Sequence, residues 1–145
     1  MKTYRKSVAA VIVNSEHKIW LGERSYAPET YGFVQGGIEA TDATNEAALR
    51  REFREEIGTD DFTILSVLTE TLYYDFPKNK RQNYLGQAQQ FYLVRLTDLS
   101  KINLVTDEPE WLSYSFVSTD EIKNYDLNME RSNYLKALAY FEKEI

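Results

Sequence analysis

The chain has 145 residues, a formal net charge of −6, 43% hydrophobic residues and no cysteine. That length suits one domain with its own core, and the missing cysteines exclude disulfides, thiolate metal sites and a cysteine nucleophile. The charge argues against broad binding to a nucleic-acid backbone, and no apolar run approaches the roughly 18 residues of a membrane span.

The N-terminus, Met1-Lys2-Thr3-Tyr4-Arg5-Lys6, lacks the apolar core of a signal peptide, so the cytoplasm is the expected compartment. Val8 to Val13 is a continuous apolar run and predicts a strand buried on both faces. Asn14 to Lys18 is a polar turn, and Ile19 to Gly22 predicts a second strand that completes a hairpin with the first. His17 falls in that turn and is given no chemical role. Arg24 follows, then a loop containing Pro28, then a short strand, Tyr31 to Gln35, that runs into the glycine pair Gly36-Gly37.

Gln35 to Thr59 carries the chemistry, a glycine pair, a short loop and then a helix heavy with glutamate. Glu52, Glu55 and Glu56 lie three and four apart, so one arc of a helix presents all three carboxylates. The Glu52–Glu56 repulsion, about 0.2 to 0.5 kcal/mol, would be reversed by a bound divalent cation. Oxygen ligands without thiolates favour magnesium or manganese over zinc. Leu49, Phe53 and Ile57 form a second stripe that packs onto a sheet; Thr44 is placed to cap the helix and Gly58 to end it. The commoner fate of so charged a helix is a solvated acidic face, with pairs such as Arg51 and Glu55. The glycine pair shifts the balance, because glycine lets backbone approach closely just before the carboxylates.

Phe62 to Phe76 predicts one long or broken strand, and Pro77 to Asn83 a basic turn containing Lys78, Lys80 and Arg81. Tyr84 to Leu96 is the next strand, Thr97 to Asn103 a loop, Thr106 to Trp111 an acidic turn, and Ser113 to Val117 another strand. Ser118 or Thr119 caps a short helix at Asp120-Glu121. Tyr134, Leu138, Phe141 and Ile145 fall at helical spacing in a closing amphipathic helix. One mixed sheet with helices on both faces accommodates this order.

The run Arg51-Glu52-Phe53-Arg54-Glu55-Glu56-Ile57-Gly58 resembles the Nudix box. Upstream the match departs: the loop after Gly36 is one residue longer, Asp42 or Ala43 stands where the motif has its first Glu, and Thr59 replaces an apolar residue. Phe33-Val34-Gln35-Gly36-Gly37, Tyr74-Asp75-Phe76-Pro77, Gly86 to Val94 and Glu108-Pro109-Glu110 resemble, in order and spacing, the Nudix branch of RNA 5′-pyrophosphohydrolases and dinucleoside polyphosphate hydrolases.

That resemblance implies a Nudix fold, an α/β/α sandwich with a mixed β-sheet, in a single domain over residues 1–145. It implies a metal-dependent hydrolase of pyrophosphate linkages acting on a 5′-triphosphorylated RNA end or another nucleotide polyphosphate, with no obligate protein partner and no membrane. Glu52 and Glu56 are implied as magnesium (Mg2+) or manganese (Mn2+) ligands, with Glu55 and a carbonyl of Gly36 or Gly37 completing the set. Glu110 is implied as ligand or general base, and Glu55 and Glu56 join it as catalytic residues. Arg5 and Arg24 are implied as phosphate or base contacts, with Tyr74, Gln87 and Met129 on the substrate wall. Val34 departs from a Pro of this branch and Gly32 from a Gln. Met129-Glu130-Arg131 replaces an aromatic-Lys-Arg run, and an anion at 130 weakens attraction for phosphate. Rival expectations are a Nudix pyrophosphatase of free nucleoside triphosphates or nucleotide sugars, and a non-catalytic nucleotide-binding module.

Overall fold

A computed structural model describes residues 2–78 and 83–145, so Lys80 and Arg81 of the expected basic turn lie outside the described residues. The apolar run near the N-terminus forms β1 (Tyr4–Ile12), the interior of a four-stranded mixed sheet. Its neighbours are β4 (Val34–Gly37), antiparallel, and β6 (Gly86–Leu96), parallel; β5 (Phe62–Asp75) pairs antiparallel with β6 and forms the edge. Alternate residues of β1 enter different cores, as expected of a strand buried on both faces. Val8, Ala10 and Ile12 pack with Leu49, Phe53 and Ile57 of α1 (Asn45–Ile57). Ala9, Val11 and Val13 join the core of Tyr134, Leu138 and Phe141 from α2 (Arg131–Phe141). The two helices thus cover opposite faces, the expected α/β/α arrangement.

The expected β1–β2 hairpin does not form. β2 (Ile19–Arg24) meets the first strand only at an isolated Val13–Ile19 bridge. A strand has two edges, and β4 and β6 occupy both of those on β1. The polar turn therefore sends β2 elsewhere, to β7 (Trp111–Val117) and β3 (Tyr31–Gly32), making a second, three-stranded antiparallel sheet. The one sheet expected is two. The segment read as a single short strand, Tyr31 to Gln35, is divided accordingly, with Phe33 the joint between β3 and β4. Phe33 is fully buried, its ring centroid 4.1 Å from that of Tyr134.

Local signals hold at α1. Thr44 Oγ accepts from the Ala47 amide at 3.0 Å, and Gly58 ends the helix with φ of 75°. The long strand β5 is broken in register near Ser66 and again between Leu68 and Leu72. The Ser118 amide donates to the Glu121 carboxylate and the Glu121 amide donates to the Ser118 hydroxyl oxygen, at the start of a short 3-10 turn, Glu121–Asn124. Among the described residues no helix is long and apolar enough to cross a membrane.

Candidate active site

A cleft of about 1040 Å³ draws on both sheets, α1 and the approach to α2. Every residue expected at the site lines it. Gly36, Gly37, Glu52, Glu55, Glu56 and Glu110 come from β4, α1 and the turn before β7. Arg5, Arg24, Tyr74, Gln87 and Met129 come from β1, β2, β5, β6 and the turn before α2.

The glycine pair forms two seats. A β-carbon at Gly36 would overlap the Glu52 carboxylate, and one at Gly37 would overlap the Arg5 guanidinium. Close approach is therefore what the pair supplies, Gly36 to an acid and Gly37 to a base.

The three helical glutamates do not share one environment. Glu52 and Glu56 are buried, 9% and 6% exposed, on the same side of α1 as Leu49 and Phe53. Glu55 is exposed and pairs with Arg51 at 3.1 Å. The Trp111 indole N–H donates to Glu56 Oε1 at 3.1 Å, fixing one oxygen of that carboxyl. Glu52 accepts from Arg51 at 2.8 Å, and its carboxyl neighbours that of Glu56. Burial pushes both carboxyls above the usual range, Glu56 far above it, where the neighbouring Glu52 adds to the effect. Burial also raises Glu110, which Arg24 partly opposes.

Arg51 ties this arrangement together. Its Nε and Nη2 meet the two oxygens of Asp42 at 2.9 and 2.8 Å, and Nη2 also donates to the Gly37 carbonyl at 2.9 Å. Asp42, standing in the extended loop where the motif has its first glutamate, thus clamps the motif arginine. The Arg51 side chain and the Glu39 amide hold its carboxyl down at about 2. The Gly37 carbonyl points off the edge of β4, where it meets Arg51, whereas Gly36 lies in the hydrogen-bonded pair with Val8 in the β1 ladder.

A divalent cation fits this donor set. Two neighbouring buried carboxyls carry charge that nothing within the protein neutralises fully, and all the donors are hard oxygens. Among the described residues no three acids stand together as a ready-made ligand set. Like charges do not converge unaided, and here one oxygen of Glu52 turns to Arg51 and one of Glu56 to Trp111.

Arg24 is not exposed to the cleft as a bare cation. It is 3% exposed and bonds Glu130 at 2.6 Å, so the anion expected to weaken phosphate binding is spent inside the protein. Sequence reasoning missed Trp111, Gln35 and Tyr134 as parts of the site. Tyr134 reads as core from its spacing, yet its hydroxyl bonds Gln35 at 2.6 Å and Glu130 at 2.9 Å. The available signal was chemical: a buried Tyr or Trp needs a partner for its polar atom.

The NUDIX domain family matches residues 3–138, and the chain belongs to that family. An RNA pyrophosphohydrolase of a Nitratiruptor species is 40% identical over 150 aligned positions, covering 99% of this chain and 96% of the relative. The RNA pyrophosphohydrolase of Helicobacter pylori is 33% identical over the same extent. Among solved structures, the E. coli dihydroneopterin triphosphate pyrophosphohydrolase superposes with a TM-score of 0.73 at 19% identity, covering 99% of this chain and 100% of the other. A C. elegans Ap4A hydrolase does so at 0.69 and 18% identity, covering 97% and 99%. At those identities the structural likeness speaks to the fold.

Proposed function

We propose that this Nudix pyrophosphohydrolase acts, as one domain in the cytoplasm, on the 5′-triphosphorylated end of RNA, releasing pyrophosphate. Dinucleoside polyphosphates are the second substrate class. The observation that carries the reading is that Glu52, Glu56, Glu110 and Arg5 line one cleft, with Glu52 seated on Gly36 and Arg5 on Gly37. The names of relatives at 33–40% identity over nearly the whole chain support the RNA end as substrate.

Glu52, Glu56 and a carbonyl of Gly36 or Gly37 would hold the cation, with Glu55 reaching it directly or through water. Magnesium, or manganese in its place, neutralises phosphate oxygens and lowers the pKa of an attacking water when bound. Glu110 is half-buried and raised toward neutrality, which suits a group that accepts the water's proton. Arg5 presents a planar, permanently charged fork to phosphate from its seat on Gly37. Tyr74 and Met129 bound the part of the cleft that takes the nucleoside, and Gln87, opposite Tyr74 in the sheet, offers an amide.

The test is turnover of 5′-triphosphorylated RNA, diadenosine tetraphosphate, free nucleoside triphosphates and a nucleotide sugar, with products identified. The RNA end should have the highest kcat/KM and yield pyrophosphate with a 5′-monophosphate. Preference for a free triphosphate or a sugar nucleotide would reject the substrate assignment, and no turnover of any would favour a binding module.

A further inference from the structure

Glu130 stands where the resemblance has a cation, and the fold turns its charge inward. Its Oε2 accepts from Arg24 at 2.6 Å and from the Tyr134 hydroxyl at 2.9 Å, while its Oε1 accepts from the Gln35 side-chain amide. The two side chains of the ion pair are 4% and 7% exposed. Arg24 also lies against Gly32, where a β-carbon would overlap its guanidinium, and sits 5.8 Å over the Trp111 ring. A phosphate entering the cleft meets an Arg24 whose charge Glu130 already offsets, and splitting that buried pair would leave an uncompensated charge.

Arg5 differs in each respect. It occupies an exposed position of β1, and among the described residues no acid pairs with it.

Glu130 has a second duty. It closes the short turn Asn128–Glu130, whose first residue has φ of 60°, a conformation that costs a non-glycine residue free energy unless its surroundings enforce it. That turn is what brings Asn128 and Met129 to the cleft.

We propose that Glu130 and Arg24 act as one neutral positioning pair: Glu130 withdraws Arg24 from the substrate's phosphates and holds the Asn128–Met129 turn against the cleft, leaving Arg5 as the arginine that meets phosphate. The proposal rests on the nucleotide-hydrolase reading of this cleft and narrows its specificity.

The deciding measurement is calorimetric binding of inorganic pyrophosphate, with Mg2+ present, to wild type, Arg5→Gln, Glu130→Gln and the double variant Arg24→Gln/Glu130→Gln. Arg5→Gln should weaken pyrophosphate about tenfold or more, the worth of a charge-assisted bond. The double variant should bind it within about threefold of wild type, while its KM for the RNA end rises more than its kcat falls, because the turn loosens. A folded double variant that loses pyrophosphate as Arg5→Gln does overturns the proposal. Should the double variant fail to fold, Glu130→Gln decides. It keeps hydrogen-bonding partners for Gln35 and Arg24 but unmasks the cation, so pyrophosphate should tighten by about threefold; unchanged or weaker binding overturns the proposal. A wild type that binds pyrophosphate but hydrolyses no nucleotide would sink the functional reading alone, leaving this pair to be judged by pyrophosphate. A wild type that binds no pyrophosphate overturns both.

Discussion

Glu52 and Glu56 share the buried face of α1 with Leu49 and Phe53, an arrangement that costs free energy unless something takes up the charge. An acid whose folded pKa lies above its unfolded value binds more protons when folded. Stability then falls as pH rises from the unfolded value, 4.5, through the raised one, and levels off above it. Melts in a chelator should therefore show the thermal midpoint falling with pH above about 4.5, the unfolded value of a glutamate. Added Mg2+ should flatten that slope, and Glu56→Gln should reduce it without metal. A chelated wild type whose midpoint is flat or rises across this window would show that the pair is not a charge trap. Trp111→Phe keeps the ring against Trp20 and deletes the bond to Glu56. It should weaken Mn2+ binding, read by electron paramagnetic resonance, by roughly 10- to 100-fold, the usual effect of losing a partner that orients a ligand. Unaltered Mn2+ affinity would leave the indole a packing role only.

At the scale of elements, α1 must start, stop and face correctly for its acids to meet the glycine pair. Thr44→Ala removes the bond to the Ala47 amide and should lower stability by about 1 kcal/mol in denaturant titration, with little effect on turnover. Gly36→Ala should do the reverse. Its β-carbon has no room beside the Glu52 carboxylate, so cation affinity and kcat should fall steeply while the fold persists. Equal activity of Gly36→Ala and wild type would mean that the seat is dispensable. This element was the most legible part of the chain, because its signals are local: a capping threonine, a terminal glycine and apolar residues four apart. What periodicity did not tell was which glutamates are buried. Glu55 lies on the same arc but faces solvent, since the glycine seat and Trp111 accept only Glu52 and Glu56.

The long-range part of the structure was less legible. β2 reads as the partner of β1, but its partner is β7, and alternation along a strand says which face is buried, never which edge is taken. Glu130 and Arg24 are 106 residues apart and Trp111 and Glu56 are 55 apart, so neither pairing leaves a spacing to find. The residues that the family resemblance gathered do line one cleft, but the phosphate contact it gave Arg24 is opposed by that side chain's burial. Phe33 joins the two sheets across which the cleft is built. Phe33→Ala should cost about 3–5 kcal/mol, the usual range for emptying a buried aromatic site, measurable as a shift in the denaturation midpoint. A loss under about 1 kcal/mol would mean that the joint repacks freely and the sheets are not held by it.

Cation-dependent hydrolysis by the acids of α1 is the activity that the glycine pair, Trp111 and the cleft together serve. It is tested most directly by incubating wild type and Glu56→Gln with a 5′-triphosphorylated RNA oligonucleotide, with Mg2+ or a chelator, and quantifying released pyrophosphate. Wild type should release it only with the cation, and Glu56→Gln, folded and melting at or above the wild-type temperature, should be slower by about 10²–10⁴-fold. Undiminished release by Glu56→Gln, or release by wild type in the chelator, would contradict the account.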